Sequence, residues 1–267
     1  MRNPPLLNIL VITKELRLII KFGYFGWEYS GFQRGNGSNS VEDAILRVME
    51  REGISGNIQS AARTDKGVSA TSNAFAVDTE RKPSMVMGVL NGKIPGMVFH
   101  SYAMVDDDFN PRHCDYKIYR YIIQKDQAGP YLKQALKPFR GRHDFRNFCK
   151  MDERNPIRTI RSIAVNRKRD MVFIDYKARS FLWNQIRSIT SYATEQSFSE
   201  EQTDPFSLEA KYPKLMDPEG LILLDMVYDG IEFREYMPLS KKKYLDSRFK
   251  RENMRHEVMK NFTLVTK

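Results

Sequence analysis

Hydrophobic residues in the first half of the chain follow strand-like and helix-like spacings that are separated by polar turns. The run Arg17–Phe22 is typical of a strand. Ser40 is predicted to cap a helix, with Asp43 as a capping-box partner, and apolar residues then recur with helical spacing as far as Met49. This helix is expected to end at Gly53. The other predicted elements of this half are strands at Asn57–Ala62, Ser72–Asp78 and Met97–Val105 and a helix at Ser84–Leu90.

The second half of the chain shows a similar mixture of short strands and helices. The predicted strands are Tyr116–Gln124, Ile160–Asn166, Met171–Lys177 and Leu221–Tyr228, and the predicted helices are Pro130–Leu136 and Leu182–Gln196. The second and third of these strands are close enough to form a hairpin. Strands mixed with helices and short hairpins predict an α+β protein with largely antiparallel sheets.

Composition narrows the class of protein. The chain has 267 residues, of which 41% are hydrophobic and 12% aromatic, which is enough for a sizeable core in one large domain or two ordinary ones. Charged side chains interrupt the apolar run Leu6–Ile20, so neither a membrane span nor a signal peptide is predicted. Cys114 and Cys149 do not form a metal-binding pattern, and two cysteines without a secretory leader favour the reducing cytoplasm.

The net charge of +10 is unevenly distributed. From Ser240 to the C-terminus there are nine basic and three acidic side chains, whereas Glu195–Glu209 contains five acidic residues and no basic one. A clustered excess of lysine and arginine is suited to a polyanion such as nucleic acid. The alternative is a solvated helical face, which needs no ligand.

The densest polar turn is the segment from Arg63 to Lys66, followed by Gly67. Asp65 stands between the two cations, which would favour its ionised form by lowering its pKa. An ionised carboxylate of this kind can serve as a nucleophile. The alternative is an ordinary turn in which the aspartate caps its own backbone.

Two further segments carry aromatic and basic residues. Tyr119 and Tyr121 would share one face of a strand, with Arg120 on the other, and aromatic residues beside bases can stack nucleobases. Arg179 and Arg187 flank the start of the long predicted helix and could bind a carboxylate or a phosphate. Each pattern is also common in ordinary strands and helices.

Other chemistry is not indicated. The acidic residues at 106–108 and the four histidines lack the spacing of a metal site, so no metal is expected. The glycine-rich segment 23–37 is neither a P-loop nor a dinucleotide-binding motif.

Seven sequence blocks, taken together, resemble the family of tRNA pseudouridine synthases related to bacterial TruA. The resemblance runs from about Ile19 to Tyr228, and its Arg-Thr-Asp-x-Gly-Val block is highly specific. The blocks are Gly-Trp-Glu-Tyr-Ser-Gly-Phe-Gln-Arg (26–34), Arg-Thr-Asp-Lys-Gly-Val-Ser-Ala (63–70), Asp-Phe-Asn-Pro-Arg (108–112), Tyr-Arg-Tyr-Ile-Ile (119–123), His-Asp-Phe-x-x-Phe (143–148), Ser-Phe-Leu-Trp-Asn-Gln-Ile-Arg (180–187) and Pro-Glu-Gly-Leu-x-Leu (218–223).

The resemblance implies a cofactor-free isomerase that converts uridine in tRNA to pseudouridine. Asp65 matches the catalytic aspartate, which would attack the ribose C1′ or the base C6, or assist departure of the base. Tyr119 matches the tyrosine that stacks against the target base, and Arg187 matches the arginine that pairs with the aspartate. The residues expected to bind the substrate RNA are Arg63, Lys66, Arg34, Arg120 and Arg179.

The resemblance also implies two α+β halves, each an antiparallel sheet carrying helices, with the catalytic cleft between them. Here the halves would be residues 15–112 and 113–267, the second carrying the basic tail. A cytoplasmic homodimer that acts on positions 38–40 in the anticodon stem-loop is expected. The chain departs from many family members at a few positions near the implied site; these are Phe25, Lys66, Ser69, Trp183 and Asn184.

Two alternatives belong to other functional classes. A non-catalytic tRNA-binding protein on the same fold would keep the basic surface and the stacking tyrosines, but would not need Asp65, Tyr119 and Arg187 together. A DNA-binding protein that uses the basic tail fits the charge equally well, but gives the turn around Asp65 no role.

Overall fold

The computed structural model describes residues 15–35 and 37–265, which form ten β-strands and five α-helices. The strands are β1 (Leu16–Tyr24), β2 (Gln59–Ser60), β3 (Ser69–Thr79), β4 (Met97–Val105), β5 (Tyr116–Gln124), β6 (Gly141–Asp144), β7 (Ile157–Lys168), β8 (Met171–Ala178), β9 (Leu221–Val227) and β10 (Arg234–Glu235). The helices are α1 (Val41–Arg51), α2 (Pro83–Lys93), α3 (Leu132–Leu136), α4 (Gln185–Gln196) and α5 (Leu239–Val265).

All ten strands belong to one sheet, in the order β10-β4-β1-β3-β9-β5-β8-β7-β6, with β2 paired to β3 outside this path. Neighbouring strands are antiparallel except β3 and β9, which pair in parallel through Ser69 with Ile222 and Ala70 with Leu223. This short parallel pair joins two antiparallel halves. The predicted α+β architecture of two helix-bearing halves is therefore confirmed.

The core of each half is rich in packed aromatic rings. Phe22 lies with its ring centroid 5.4 Å from that of Phe75 and 5.5 Å from that of Phe99. In the second half, the Phe148 ring lies 4.9 Å from Phe139 and 5.4 Å from Tyr192. Buried residues of both halves form one continuous cluster, so groups at the junction are held by packing from both sides.

The first helix begins as the sequence predicts. The Ser40 hydroxyl accepts a hydrogen bond from the Asp43 backbone N–H at 3.0 Å and donates one to the Asp43 carboxylate at 2.7 Å. Val41, Ile45 and Met49 face the core with helical spacing. The capped helix predicted from Ser40 is confirmed.

The long helix of the second half begins three residues later than predicted, at Gln185 rather than Leu182. Asn184 has a φ of 65°, in the left-handed region that a non-glycine residue seldom adopts. Because this residue interrupts the helical path, Leu182 and Trp183 remain in a turn that faces the junction of the two halves.

The C-terminal part of the chain returns to the first half. β10 pairs with β4, and α5 follows it with the Lys241 ammonium hydrogen-bonded to the carbonyl oxygens of Ile94 at 3.0 Å and Pro95 at 3.3 Å. Lys241 is buried, but every residue from Phe249 to Phe262 is exposed. Residues beyond 233 thus lie with the first half, although their place in the sequence follows the second.

Within the described ranges, no helix combines the length and the apolar character needed to cross a membrane. Residues 6–14 of the apolar N-terminal run lie outside the described residues, whereas residues 16–20 form part of β1.

Candidate active site

Asp65 lies in a loop of residues 61–68, here called the Asp65 loop, which hydrogen bonds hold against the first half. The Thr64 hydroxyl lies 2.7 Å from the Tyr24 hydroxyl, and the Thr64 carbonyl accepts a hydrogen bond from the Phe32 backbone N–H at 3.1 Å. The Asn73 side chain donates to the Ala62 carbonyl at 2.9 Å. These buried contacts fix the backbone on the N-terminal side of the carboxylate.

Glycines allow the C-terminal side of this loop to adopt its conformation. Gly67 has a φ of 88°, and a Cβ there would lie 3.0 Å from a side-chain atom of Pro218. A Cβ on Gly26 would lie 2.3 Å from the Val68 backbone, and the Gly26 N–H donates to the Ser69 hydroxyl at 2.9 Å. The turn at Gly26 therefore packs directly on the loop that carries Asp65.

The second half contributes a cation to this carboxylate. Arg187, in the first turn of α4, has its guanidinium 3.7 Å from the Asp65 carboxylate. The same guanidinium donates to the Met216 carbonyl at 2.8 Å and to the Asn184 side chain at 3.3 Å. These two acceptors fix the arginine, so the ion pair joins the two halves of the sheet at a set position.

Burial raises the pKa of Asp65, and the positive charges of Arg187 and Lys150 offset that rise only in part. The Trp183 side chain also stabilises the charged form by hydrogen bonding. The expectation that Arg63 and Lys66 hold the pKa down is wrong. Both side chains are exposed, because residues next to Asp65 in the turn point outward, and its electrostatic partners come from the other half.

Tyr119 faces the same junction from β5. Its side chain is 8% exposed, and its ring packs edge-on against Phe181 with the centroids 5.4 Å apart. Burial raises its pKa well above the usual value of 10, and the negative charge of Asp65 adds to that rise. Tyr119 is thus a neutral phenol at physiological pH, able to donate a hydrogen bond or a proton rather than to act as a phenolate.

One short segment, residues 181–187, supplies most contacts from the second half. Phe181 packs on Tyr119, Trp183 reaches Asp65, and Asn184 accepts from Arg187. Asn184, within this segment, has a left-handed backbone conformation, and conformations of this kind cluster at functional sites.

The sequence did not indicate one member of the site, Lys150. Its ammonium lies 3.8 Å from the centroid of the Trp183 ring, and its backbone N–H donates to the Trp183 carbonyl at 2.8 Å. Lys150 follows the aromatic block at 143–148 by two residues, but a lone lysine beside such a block carries no signal of its own. The cation–π contact holds a second positive charge that lowers the pKa of Asp65.

Replacing Lys150 with methionine is expected to raise the pKa of Asp65 further, because a charge that favours the ionised carboxylate is lost. The pKa can be measured from the Asp65 carboxyl ¹³C chemical shift across a pH titration, with the Asp65→Asn spectrum identifying the signal. Lys133→Met, which removes an exposed lysine from α3, is the matched control. Equal titration curves for the two variants would show that Lys150 does not act on Asp65.

The remaining residues predicted to bind the substrate are dispersed. Arg34 is exposed and pairs with Asp43 at 3.4 Å. Arg120 lies on the face of β5 opposite to Tyr119 and makes a two-pronged ion pair with Asp175, at 2.7 and 2.8 Å. Arg179 is exposed at the end of β8. The structure therefore brings together Asp65, Tyr119 and Arg187, and it leaves these arginines outside that cluster.

The cluster has the elements of a site for a charged reaction intermediate. It offers one partly buried carboxylate, a fixed guanidinium and a neutral phenol at the junction of two halves. A carboxylate held by a cation in a sheltered site is suited to nucleophilic attack or to stabilising positive charge on a sugar.

Comparison with known proteins gives a consistent picture. A family profile described as tRNA pseudouridine synthase matches residues 135–229. The chain is 45% identical over 223 residues to the tRNA pseudouridine synthase A of Thermoplasma acidophilum, covering 83% of this chain and 88% of that protein. It is 44% identical over 223 residues to the protein of the same name from Picrophilus torridus, covering 84% and 86%. For the Pyrococcus furiosus protein the identity is 34% over 230 residues, covering 82% and 86%.

Proposed function

Because the chain belongs to the tRNA pseudouridine synthase A family, whose members are isomerases acting on tRNA, we propose that it converts uridine to pseudouridine at positions 38–40 of the anticodon stem-loop. The observation that carries the assignment of the site is the Asp65 carboxylate, 3.7 Å from the Arg187 guanidinium and beside the buried Tyr119. The site is built from both halves and needs no other group to supply a nucleophile.

The isomerisation breaks the bond between N1 of uracil and C1′ of ribose and forms a bond between C5 and C1′. A hydrogen leaves C5 and N1 gains one, so no atom is lost overall and no redox cofactor is required. Asp65 attacks C1′ or C6, or stabilises the sugar as the base departs. Each route requires the carboxylate in its charged form, which Arg187, Trp183 and Lys150 favour against the effect of burial.

The target base has to leave its stack before it can reach this site. Extrusion costs a few kcal/mol for unstacking and unpairing. An aromatic ring that stacks on the extruded base recovers about 1–3 kcal/mol. In this proposal Tyr119, which packs edge-on against Phe181 at the junction, supplies the ring on which the incoming base stacks. Arg63 and Lys66, both exposed on the Asp65 loop, meet the phosphates on either side of the extruded nucleotide.

The proposal extends to the assembly and the compartment. We place the enzyme in the cytoplasm, where the two buried thiols Cys114 and Cys149 would stay reduced. We also propose a homodimer, on the ground of the sequence resemblance alone. In sedimentation equilibrium of the purified protein we expect a single species with the mass of two chains. A species with the mass of one chain would contradict the homodimer.

Unmodified tRNA transcripts with uridine at only one of positions 38, 39 and 40 test the proposed target. Incubation with the protein, carbodiimide labelling and primer extension are expected to give a stop in the anticodon stem-loop. A stop elsewhere in the tRNA would keep the isomerase and overturn the proposed position. Tight binding to all three transcripts with no stop in any of them would favour the non-catalytic tRNA-binding alternative.

A further inference from the structure

The turn of residues 25–28 carries an exposed aromatic ring beside the Asp65 loop. Trp27 is 52% exposed, although large aromatic side chains are usually buried. Its ring centroid lies 5.1 Å from that of Phe25. Because Gly26 packs on the backbone of Gly67 and Val68, the turn that carries Trp27 lies directly against the loop that carries Asp65.

Helix α5 contacts this turn through Arg248. The Arg248 guanidinium lies 3.9 Å from the centroid of the Phe25 ring and pairs with the Glu28 carboxylate at 2.6 Å. The Tyr244 hydroxyl accepts a further hydrogen bond from it at 3.2 Å. The Arg248 guanidinium thus lies over the Phe25 ring, and the Phe25 ring lies beside the exposed indole of Trp27.

A surface cleft separates α5 from the turn, and its wall is rich in arginine. Arg248, Arg251 and Arg255 line it together with Glu28 and Glu252. Each of these acids is already paired, Glu28 with Arg248 and Glu252 with Arg255, whereas the Arg251 side chain has no hydrogen bond or ion pair within the described part of the chain. The cleft therefore offers an unpaired guanidinium on α5, the helix whose Arg248 contacts the turn that carries Trp27.

We propose that Trp27 and the arginine-lined face of α5 form a second RNA-binding surface, separate from the site that holds the target base. In this surface Trp27 stacks an unpaired base near the target nucleotide, and Arg251 binds a backbone phosphate. Stacking on aromatic rings combined with contacts from guanidinium groups is the way proteins hold single-stranded RNA. The proposal rests on the proposed function only in taking tRNA as the ligand.

The position of the surface favours RNA over a protein partner. Gly26 packs on Gly67 and Val68, so the turn that carries Trp27 adjoins the loop at which a tRNA would insert its target uridine. The basic helix extends it, because 27 residues of α-helix span about 40 Å. A helix of that length can follow the backbone of an RNA stem beyond the target nucleotide.

Binding of an unmodified tRNA transcript to the Asp65→Asn protein tests this surface without relying on catalysis. Trp27→Ala is expected to weaken affinity about tenfold, and Trp27→Phe to restore most of it, because a phenyl ring still stacks. Arg251→Glu is expected to weaken binding. It should also reduce the slope of log Kd against log salt concentration by about the amount expected for the loss of one phosphate contact. Lys133→Glu, at an exposed position on α3 in the other half, is the matched control with the same change in charge.

A fluorescence measurement separates stacking from a merely structural role. The chain has two tryptophans, so in a Trp183→Phe background Trp27 is the only indole. Saturation with tRNA is expected to quench its emission strongly. Unchanged emission at full saturation would overturn the stacking role of Trp27. Equal effects of Arg251→Glu and Lys133→Glu on tRNA affinity would overturn the RNA-binding role of the cleft. A change of mass in solution with Arg251→Glu alone would also overturn it and would indicate a protein interface instead.

If the tRNA binds as expected but no pseudouridine forms in the wild-type protein, the proposed function fails while this surface stands. If pseudouridine forms normally and the Trp27 and Arg251 variants bind like the wild type, the surface fails while the function stands.

Discussion

Asp65→Asn is expected to abolish pseudouridine formation, with a loss in rate of roughly 10⁴-fold or more, while tRNA affinity stays within about tenfold of the wild type. The amide has nearly the same shape as the carboxylate and can still meet Trp183 and Arg187. It has neither the charge that stabilises a developing positive sugar nor the nucleophilic oxygen needed for attack. Single-turnover release of tritium from C5 of the target uridine, with protein in excess, measures the chemical step directly.

Asp107→Asn provides the matched control for this substitution. Asp107 lies exposed in the connection after β4, so the same chemical change there is expected to leave the rate unaltered. Asp65→Asn protein that retained more than about one hundredth of the wild-type rate would show that Asp65 is not the attacking group.

Arg187→Met is expected to lower the rate about 10²–10³-fold at neutral pH, the usual effect of removing one fixed group that stabilises charge in an active site. The arginine favours the ionised form of Asp65, so its loss raises the pKa of that carboxyl. The active, ionised form is then lost at a higher pH as the solution is acidified. The acidic side of the profile of rate against pH should therefore move to higher pH than in the wild type.

Single-turnover rates between pH 5 and 9 measure this shift, and Arg187→Lys separates charge from geometry. The lysine keeps the positive charge but cannot bridge the Met216 carbonyl and Asp65 as a planar fork does, so an intermediate rate is expected. Because Arg187 also donates a hydrogen bond to the Met216 carbonyl, its replacement could alter stability. Thermal unfolding of each variant is therefore recorded alongside the rates. A rate that falls equally at every pH, in a stably folded protein, would contradict an electrostatic role on Asp65.

Much of the fold could be predicted from local patterns. The bounds of β4 and β5 agree with the predicted strands Met97–Val105 and Tyr116–Gln124, because polar turns bound both runs. Helix α5 could not be predicted as a continuous element, since its apolar and charged residues are mixed on all sides and give no helical stripe. The parallel pair of β3 and β9 joins strands about 150 residues apart in sequence, which no local spacing can indicate.

The site was predictable only in part. The family blocks point to Asp65, Tyr119 and Arg187, and the structure places these three together. The sequence neighbours of Asp65 suggested the wrong electrostatic partners, because adjacent residues in a tight turn point to different sides. Lys150 acts through a contact with Trp183, and contacts between distant residues are set by the tertiary fold rather than by local pattern.

The return of the C-terminus to the first half has a consequence for the order in which the protein matures on the ribosome. Strand β4 is an open edge until β10 pairs with it, and the carbonyl groups of Ile94 and Pro95 lack their buried partner until Lys241 has emerged. Domains made during synthesis generally fold from the N-terminus onward, but here the half synthesised first is completed last. We therefore expect a nascent chain that stops before β10 to expose an unpaired strand edge that is prone to aggregation, and catalytic competence to arise only after β10 and Lys241 have joined the first half.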